Sequence, residues 1–393
     1  MILVPLVRAT SLVALAFAAR ASTFAASWFE VPLLRRAPEA ALPALSIVVP
    51  ARDEERSIED CVRSLAEQRY LDDAEVIVVD DCSTDATPAI LARLAAEYPA
   101  LRVVRGEPLP EGWAGKPWAL AQGAALARGA WLLFTDADSV HAPAGAASAL
   151  AFSIAAKTDA LTICTGQELG SFWERAVLPA ILGVIFFATG TLAEVNDPMR
   201  PRRALANGQY ILVDRAVYDA LGGHAALRGE LVEDVEFARK LKKDGRFRLT
   251  LGGGSALAHV RMYRSLPEIW NGFTKNVFVG AEGNVPVLCA GVLWLSLLSA
   301  GLPLALIALA RRRPLLALEA LAATAAVVGT AYRGMRMVGI SPGSAFLHPL
   351  GTAVFAAIAA NSAWCGLSGR GVVWRGRRYA GRHASQGALT TTE

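Results

Sequence analysis

Charge is scarce in this chain. Of its 393 residues, 19% are Asp, Glu, Lys or Arg, against roughly 25% in ordinary soluble domains. The deficit accompanies 54% apolar residues and a mean hydropathy of +0.37. That much apolar surface excludes a disordered chain, and it argues against a purely soluble enzyme unless the excess is spread evenly. No sign of charge dominates: 39 basic against 35 acidic residues leave a net +4. With no Lys/Arg stripe interleaved with aromatics, nucleic acid is excluded as an expected partner. Cysteine is scarce too. Cys61, Cys82, Cys164, Cys289 and Cys365 are odd in number, scattered and without a CxxC pair, so neither a zinc site nor a disulfide framework is expected. Reduced thiols in a cytosol-facing protein are.

The apolar residues are unevenly placed. Residues 1–34 are mostly apolar, interrupted by Arg8, Arg20 and Glu30. Residues 45–283 carry most of the acids and read as a globular domain. Residues 285–368 are apolar again, cut by Arg311–Arg313, Arg333 and Arg336, and a basic, polar tail spans 369–393. A bilayer core needs about 20 apolar helical residues. Val285–Ala310 and Ala345–Leu367 reach that length, Pro314–Tyr332 is marginal and contains Glu319, and a further crossing is expected near residues 2–28. That first stretch also admits a reading as a secretory signal, which would carry the domain behind it to the wrong compartment for a cytosolic substrate. Arg35 and Arg36 favour a cytosolic start to the globular domain. Arg370, Arg375, Arg377, Arg378 and Arg382 favour the same side for the tail, which three intervening crossings do not give unless one C-terminal segment is re-entrant. Inside the globular region, Ala176–Ala193 is apolar but holds Pro179, Gly183 and Gly190, which suits a buried helix or, the reading favoured, one lying in the membrane surface.

The globular region alternates strand-like and helix-like segments. Leu45–Pro50, Ala74–Val79, Leu101–Val104 and Trp131–Thr135 are short apolar runs, as in strands buried on both faces. Asp53–Gln68, Thr87–Tyr98 and Trp118–Arg128 show helical spacing. This alternation predicts an α/β fold with a parallel sheet, whose ligands bind beyond the carboxyl ends of the strands. Three strand ends carry polar clusters: Pro50–Glu54 with Arg52, Asp80–Asp85 with Asp81, and Asp136–Asp138. Asp136 and Asp138 are hard oxygen ligands on one turn, suited to Mg²⁺ or Mn²⁺. Asp80 and Asp81 suit a base or ribose, or a helix cap. Lys116, after Gly112–Gly115, suits a phosphate. Further on, Asn207–Gln209 precedes the strand Tyr210–Val213, and Gly222–His224 is a turn. Glu233 and Asp234 open an amphipathic segment, as dipole partners or as a base for an incoming hydroxyl. Arg261 and Arg264, three apart, would share one face of a helix.

Taken in order, LSIVVPARDEE, VIVVDDCSTDAT, LLFTDADS, GGH…VEDVEFARKLKKDG and RMYR resemble the inverting family 2 glycosyltransferases with the GT-A fold, over roughly residues 45–280. GWAGKPWAL (Gly112–Leu120), RMYRSLPEIWNGFTKN and the closing HPLG…NS…WRGRRY are similar to membrane glycosyltransferases of hopanoid and carotenoid pathways and to ceramide-glucosyltransferase-like enzymes. The resemblance implies a Rossmann-like mixed sheet plus transmembrane helices, in a multi-pass inner-membrane protein with a cytoplasmic catalytic domain. It implies a nucleotide-sugar donor (a UDP-sugar), a lipid or isoprenoid acceptor, and a Mg²⁺ or Mn²⁺ ion. Asp81, with Asp80, Glu54, Pro50 and Arg52, would hold the nucleoside. Asp138 would ligate the metal, with Asp136 on the sugar or supporting the ligand. Asp234 would be the acceptor's base with Glu233 beside it, and Arg261 and Arg264 would bind the diphosphate. Ser265 stands where the family's arginine motif has Trp, which speaks against the other reading, a processive synthase building polysaccharide.

Overall fold

The run Leu45–Ala51 carries one polar side chain, Ser46. In the computed structural model of the chain, which describes residues 2–280, 284–368, 372–374 and 377–379, it is a buried strand, β1. Around it the chain runs α1 (Leu3–Ala26), β1, α2 (Ile58–Ala66), β2 (Ala74–Asp80), α3 (Thr87–Glu97), β3 (Leu101–Arg105), α4 (Gly115–Leu126), β4 (Trp131–Thr135), β5 (Ser139–His141), α5 (Gly145–Ala156), β6 (Ala160–Cys164), β7 (Gly166–Gln167) and α6 (Phe172–Thr189). There follow α7 (Leu192–Asn196), β8 (Tyr210–Asp214), α8 (Arg215–Ala220), α9 (Glu233–Asp244), β9 (Leu249–Gly253), β10 (Ala258–Val260) and α10 (Leu266–Gly280). The C-terminal helices are α11 (Val285–Ser299), α12 (Gly301–Ala310), α13 (Pro314–Met337) and α14 (His348–Leu367), before two short strands, β11 (Val372–Trp374) and β12 (Arg377–Tyr379).

Seven strands form one sheet in the order β3-β2-β1-β4-β8-β6-β9. Alternate residues of β1, β2 and β4 enter opposite cores. Ile47, Val49, Val76, Val78 and Leu133 pack below helices on one face; Val48, Ile77, Val79, Leu132 and Phe134 pack on the other. The sheet is mixed, as the resemblance implied and unlike the parallel sheet that the alternation of elements alone predicts. β8 runs antiparallel to both neighbours, with Thr135 opposite Tyr210. The reversal has a consequence for the site: it brings the start of β8, Asn207–Gln209, to the edge where β1, β2 and β4 end. A second, three-stranded sheet, β5-β10-β7, pairs Val260 with Ser139 and so delivers Arg261 near the Asp136–Asp138 turn.

The apolar ends form a helical layer. Leu3–Phe24, Phe172–Thr189, Pro314–Met337 and Pro342–Cys365 are each long and apolar enough to cross a membrane. The stretch expected to cross once at Val285–Ala310 is instead α11 and α12, bent by 52° at Ala300, the geometry of a broken span or a re-entrant loop. The marginal Pro314–Tyr332 is a longer helix than expected, ending at Met337, and Glu319 accepts a hydrogen bond from Ser11 of α1 (3.3 Å). Leu12, Leu15, Leu315 and Leu318 point outward, each more than 60% exposed, as side chains facing hydrocarbon do. The expected surface helix at Ala176–Ala193 begins earlier, at Phe172. Its first half is buried: Ala176–Ile181 pack against Tyr263, Phe273 and Phe355. All five cysteines are free. Of the tail, Arg370, Arg375 and Arg382 lie outside the described residues.

Candidate active site

A cleft of about 820 Å³ opens at the carboxyl edge of the large sheet, lined by Pro50, Arg52, Glu54, Asp81, Lys116, Asp136, Asp138, Glu233, Asp234, Arg261 and Arg264. Of the residues expected at the site, Asp80 alone is not on its wall. It is buried at the end of β2, and its carboxylate accepts the Ser83 N–H (3.0 Å); it thus caps the turn after β2 and not a helix, since α3 starts beyond Ala86.

The first wall is made by two laced loops. Asp53, in the left-handed region at φ 52°, accepts the Thr84 N–H (2.7 Å), and its own N–H donates to Ser83 Oγ (3.0 Å). The Glu54 N–H donates to Thr87 Oγ1 (2.8 Å) and the Glu55 N–H to Asp85 (3.0 Å). The residues expected to begin a helix at Asp53 are consumed in this lacing, so α2 starts only at Ile58. Arg52 donates to the Asp81 carbonyl (2.6 Å) and lies 3.9 Å from its carboxylate.

The centre is a lysine among carboxylates. α4 begins three residues earlier than its apolar spacing suggested, which puts Lys116 in its first turn. The Lys116 Nζ lies 2.6 Å from Asp136 Oδ1 and 2.9 Å from Glu233 Oε1. Burial disfavours its charge, but Asp136, Glu233 and Asp234 outweigh that and hold its pKa well above the ordinary lysine value. Conversely, burial works against an ionised Glu233, yet Lys116 holds that carboxyl below its usual range. Asp234 is left with the opposite shift. Burial, then the Glu233 charge, push its pKa up to about 6, despite Lys116 and the N–H groups of Gly208 and Val235. It accepts the Gly208 N–H at 2.8 Å. A Cβ at Gly208 would sit 2.9 Å from Lys116 Nζ and 3.1 Å from Asp234 Oδ2, so this glycine lets β8 approach both groups. Sequence reasoning noted Asn207–Gln209 and gave it no role; the antiparallel strand supplies one.

The arginines close the third side, from a loop rather than a helix. Arg261 makes a two-pronged pair with Glu174 of α6 (2.9 and 3.1 Å), whose side chain is fully buried. Glu174 escaped the sequence reading, although Ser171-x-x-Glu174 is a capping-box pattern, and both of its reciprocal bonds form. Arg264 is exposed on the rim, its N–H donating to Glu268 (2.7 Å). Ser265, in the place of the family's Trp, sits just before α10, and its Oγ accepts the Glu268 N–H (3.4 Å). Lys275, another residue not anticipated, faces the same cleft, its pKa pulled down by burial. His224 lies outside: buried, bonded to the Tyr218 hydroxyl (2.8 Å) and with its pKa pushed down to about 4 by that burial, it is a structural histidine.

Residues 46–176, which hold both laced loops, Lys116 and the Asp136–Asp138 turn, match the family model for glycosyl transferase family 2. Among curated proteins, the chain is 28% identical over 260 residues to the 4,4'-diaponeurosporenoate glycosyltransferase of Staphylococcus aureus (strain USA300), covering 64% of this chain and 66% of the relative's length. The same protein from strain MRSA252 matches at the same identity and coverage. Among solved structures, a mannosyltransferase from Pyrobaculum calidifontis, in complex with GDP-mannose and Mn²⁺, superposes with a TM-score of 0.51 at 20% identity, over 93% of this chain and 98% of that one. The fold is thus a mixed α/β sheet of the GT-A type, with apolar helices attached.

The donor set of this cleft suits a divalent cation. Asp136 and Asp138 present hard oxygens on one turn at the cleft. Among the described residues no third His, Cys, Asp or Glu converges with them. A cation held there would complete its shell from phosphate and water, the habit of Mg²⁺.

Proposed function

We propose that this chain is a membrane-anchored, inverting glycosyltransferase that moves a sugar from a nucleoside diphosphate to the hydroxyl of an isoprenoid-type lipid. The observation that carries the reading is the position of Asp234. It stands across one lysine from the Asp136–Asp138 turn, with a pKa about two units above an ordinary aspartate. A group titrating near 6 is ionised at neutral pH and still basic enough to take a proton in a transition state.

The roles follow the walls of the cleft. Asp81, Glu54 and Arg52, on the laced loops, hold base and ribose. Lys116, Arg264 and Lys275 meet the diphosphate, with Arg261 held in place by Glu174. Asp138 and Asp136 would hold a Mg²⁺ or Mn²⁺ ion, which would supply Lewis-acid stabilisation to the departing diphosphate. The acceptor oxygen attacks the anomeric carbon in line as the carbon–phosphate-oxygen bond breaks, and Asp234 takes the hydroxyl proton. One displacement inverts the centre. The name of the Staphylococcus relative points to an isoprenoid carboxylate as its acceptor. A carboxylate needs little help from a base, whereas a hydroxyl does, and the tuning of Asp234 favours the hydroxyl here. The helical layer beside the cleft suits an acceptor drawn from a bilayer, and the basic residues flanking it favour a cytoplasmic catalytic domain in the inner membrane.

The test is transfer itself. Purified full-length protein with Mn²⁺ or Mg²⁺ is given radiolabelled UDP- and GDP-sugars and a bacterial lipid extract. Label entering the organic phase supports the reading; donor left intact, or hydrolysed without lipid product, overturns it.

A further inference from the structure

A second cavity lies away from the reaction cleft, and no residue lines both. It is a crevice of about 260 Å³ between the ends of α1 and α13, the middle of α6 and the start of α14, walled by Phe17, Leu182, Phe186 and Met335. One face of α6, through Ala176 and Ile181, packs toward Tyr263 beside the cleft; another, through Leu182, Gly183 and Phe186, lines the crevice. Gly339, in the connection between α13 and α14, faces Ser255 of the α/β domain, where an added Cβ would lie 3.5 Å from the serine Cβ. The crevice therefore sits where the helices meet that domain, the depth of lipid headgroups if those helices cross a bilayer.

Its apolar wall has a polar exception. His348 is 1% exposed, yet among the described residues neither ring nitrogen has a hydrogen-bond partner. A buried imidazole always offers at least one N–H, and buried polar groups are normally satisfied. The ring stacks on Phe17 (5.8 Å) and faces α6 at Gly183, where no side chain fills the space. At the mouth, Arg333 is exposed and has no hydrogen bond or ion pair among the described residues. Arg20 is partly engaged by Glu194 (3.0 Å). His348 opens the HPLG stretch, none of which lines the reaction cleft. The Gly351 of that stretch lets α14 close on α6, since a Cβ there would collide with the Ala176 carbonyl.

We propose that this crevice is a binding site for an anionic membrane lipid, separate from the acceptor's reacting end. An acyl or isoprenoid chain lies along the aromatic wall, an ester or hydroxyl oxygen meets His348, and the phosphate meets Arg333. The volume falls below the roughly 300–1,000 Å³ of sites that enclose a whole small ligand, so it takes part of a lipid and leaves the remainder in the bilayer. The inference stands on the crevice alone and does not depend on the sugar chemistry.

Photolabelling of the full-length protein in nanodiscs tests it. The probes are phosphatidylglycerol and phosphatidylcholine carrying the same diazirine acyl chain. The site predicts phosphatidylglycerol labelling of peptides within residues 17–28, 179–187 and 330–348, competed by unlabelled phosphatidylglycerol and not by inorganic phosphate. Arg333→Gln should weaken it by about fivefold, the worth of one arginine near an anionic lipid surface. Gly183→Leu, which fills the crevice, should abolish it. Equal labelling by both probes, labelling confined to outward positions such as Leu12 and Leu318, indifference to both variants, or full competition by inorganic phosphate would each overturn the proposal.

Discussion

The Lys116 ammonium lies 2.6 Å from the Asp136 carboxylate, joining the turn expected to hold the metal to the helix start that carries Glu233 and Asp234. Without a substrate, this one cation offsets three buried or half-buried carboxylates. Lys116→Gln should therefore act in two ways. Loss of one charge-assisted contact, at about 1.5–3 kcal/mol, should raise the donor KM by tenfold or more. Loss of the cation that lowers the Asp234 pKa should also move the acid limb of the pH–rate profile to higher pH. Steady-state kinetics across pH would show both; a change in neither would remove Lys116 from the site.

Arg261 and Arg264 should separate sharply. Arg261 is braced by a fully buried Glu174, and removing one partner of such a pair strands the other charge, at 3–5 kcal/mol when both are buried. Because Arg261 is partly exposed, Glu174→Ala should cost about 2–3 kcal/mol, read as a lowered Tm. Arg264→Ala should leave Tm unchanged and raise the donor KM. Equal thermal effects from the two would contradict the division of roles.

Gly208→Ala tests the approach of β8. The added methyl meets the tip of a flexible lysine and the Asp234 side chain rather than backbone, so Lys116 can swing aside, Asp234 need give only slightly, and stability should change little. Displacing Lys116 from between Asp136 and Glu233 should nonetheless lower kcat, by tenfold or more if it matches the loss of a charged hydrogen bond. Activity close to that of the unmodified enzyme would show that the lysine's position is not critical.

Gly351→Ala sets a contrasting case, because its Cβ meets a backbone carbonyl of α6. Neither helix can yield by a rotamer change, so the cost should be of the order of overpacking, about 1–3 kcal/mol. Thermal unfolding in detergent would measure it, and an unchanged Tm would contradict the close α6–α14 packing.

Much of this architecture is legible in the sequence because it is local. LSIVVP and AEVIVV announce buried strands through apolar runs, and the acids after them lie at strand ends where the fold puts ligands. What escaped is long-range. A two-faced apolar strand reports burial but not direction, so although the motifs resemble a mixed-sheet family, the run Tyr210–Val213 did not itself show that β8 reverses, nor the role of Gly208. The Glu174–Arg261 pair spans 87 positions, and a capping box explains the glutamate without revealing its partner. The spacing of Arg261 and Arg264 would put them on one face only of a helix; the short strand Ala258–Val260, fixed by its pairing with β5, leads them into a loop. Asp80 and Asp81 are neighbours in sequence, yet successive side chains at a strand end point opposite ways, so only one reaches the cleft.

The most direct test of the account is the pH dependence of kcat/KM for the unmodified enzyme and for Asp234→Asn, with donor binding measured alongside. A carboxyl whose pKa is raised to about 6 is protonated below that value, so the unmodified rate should rise with pH through about 6 and level off above it. The asparagine cannot take a proton but still accepts the Gly208 N–H. It should bind donor normally and turn over at least about a hundredfold more slowly, the low end of what a positioned base contributes, with no such limb. An Asp234→Asn enzyme with near-normal turnover and the same pH limb would contradict the assignment of Asp234 as the base.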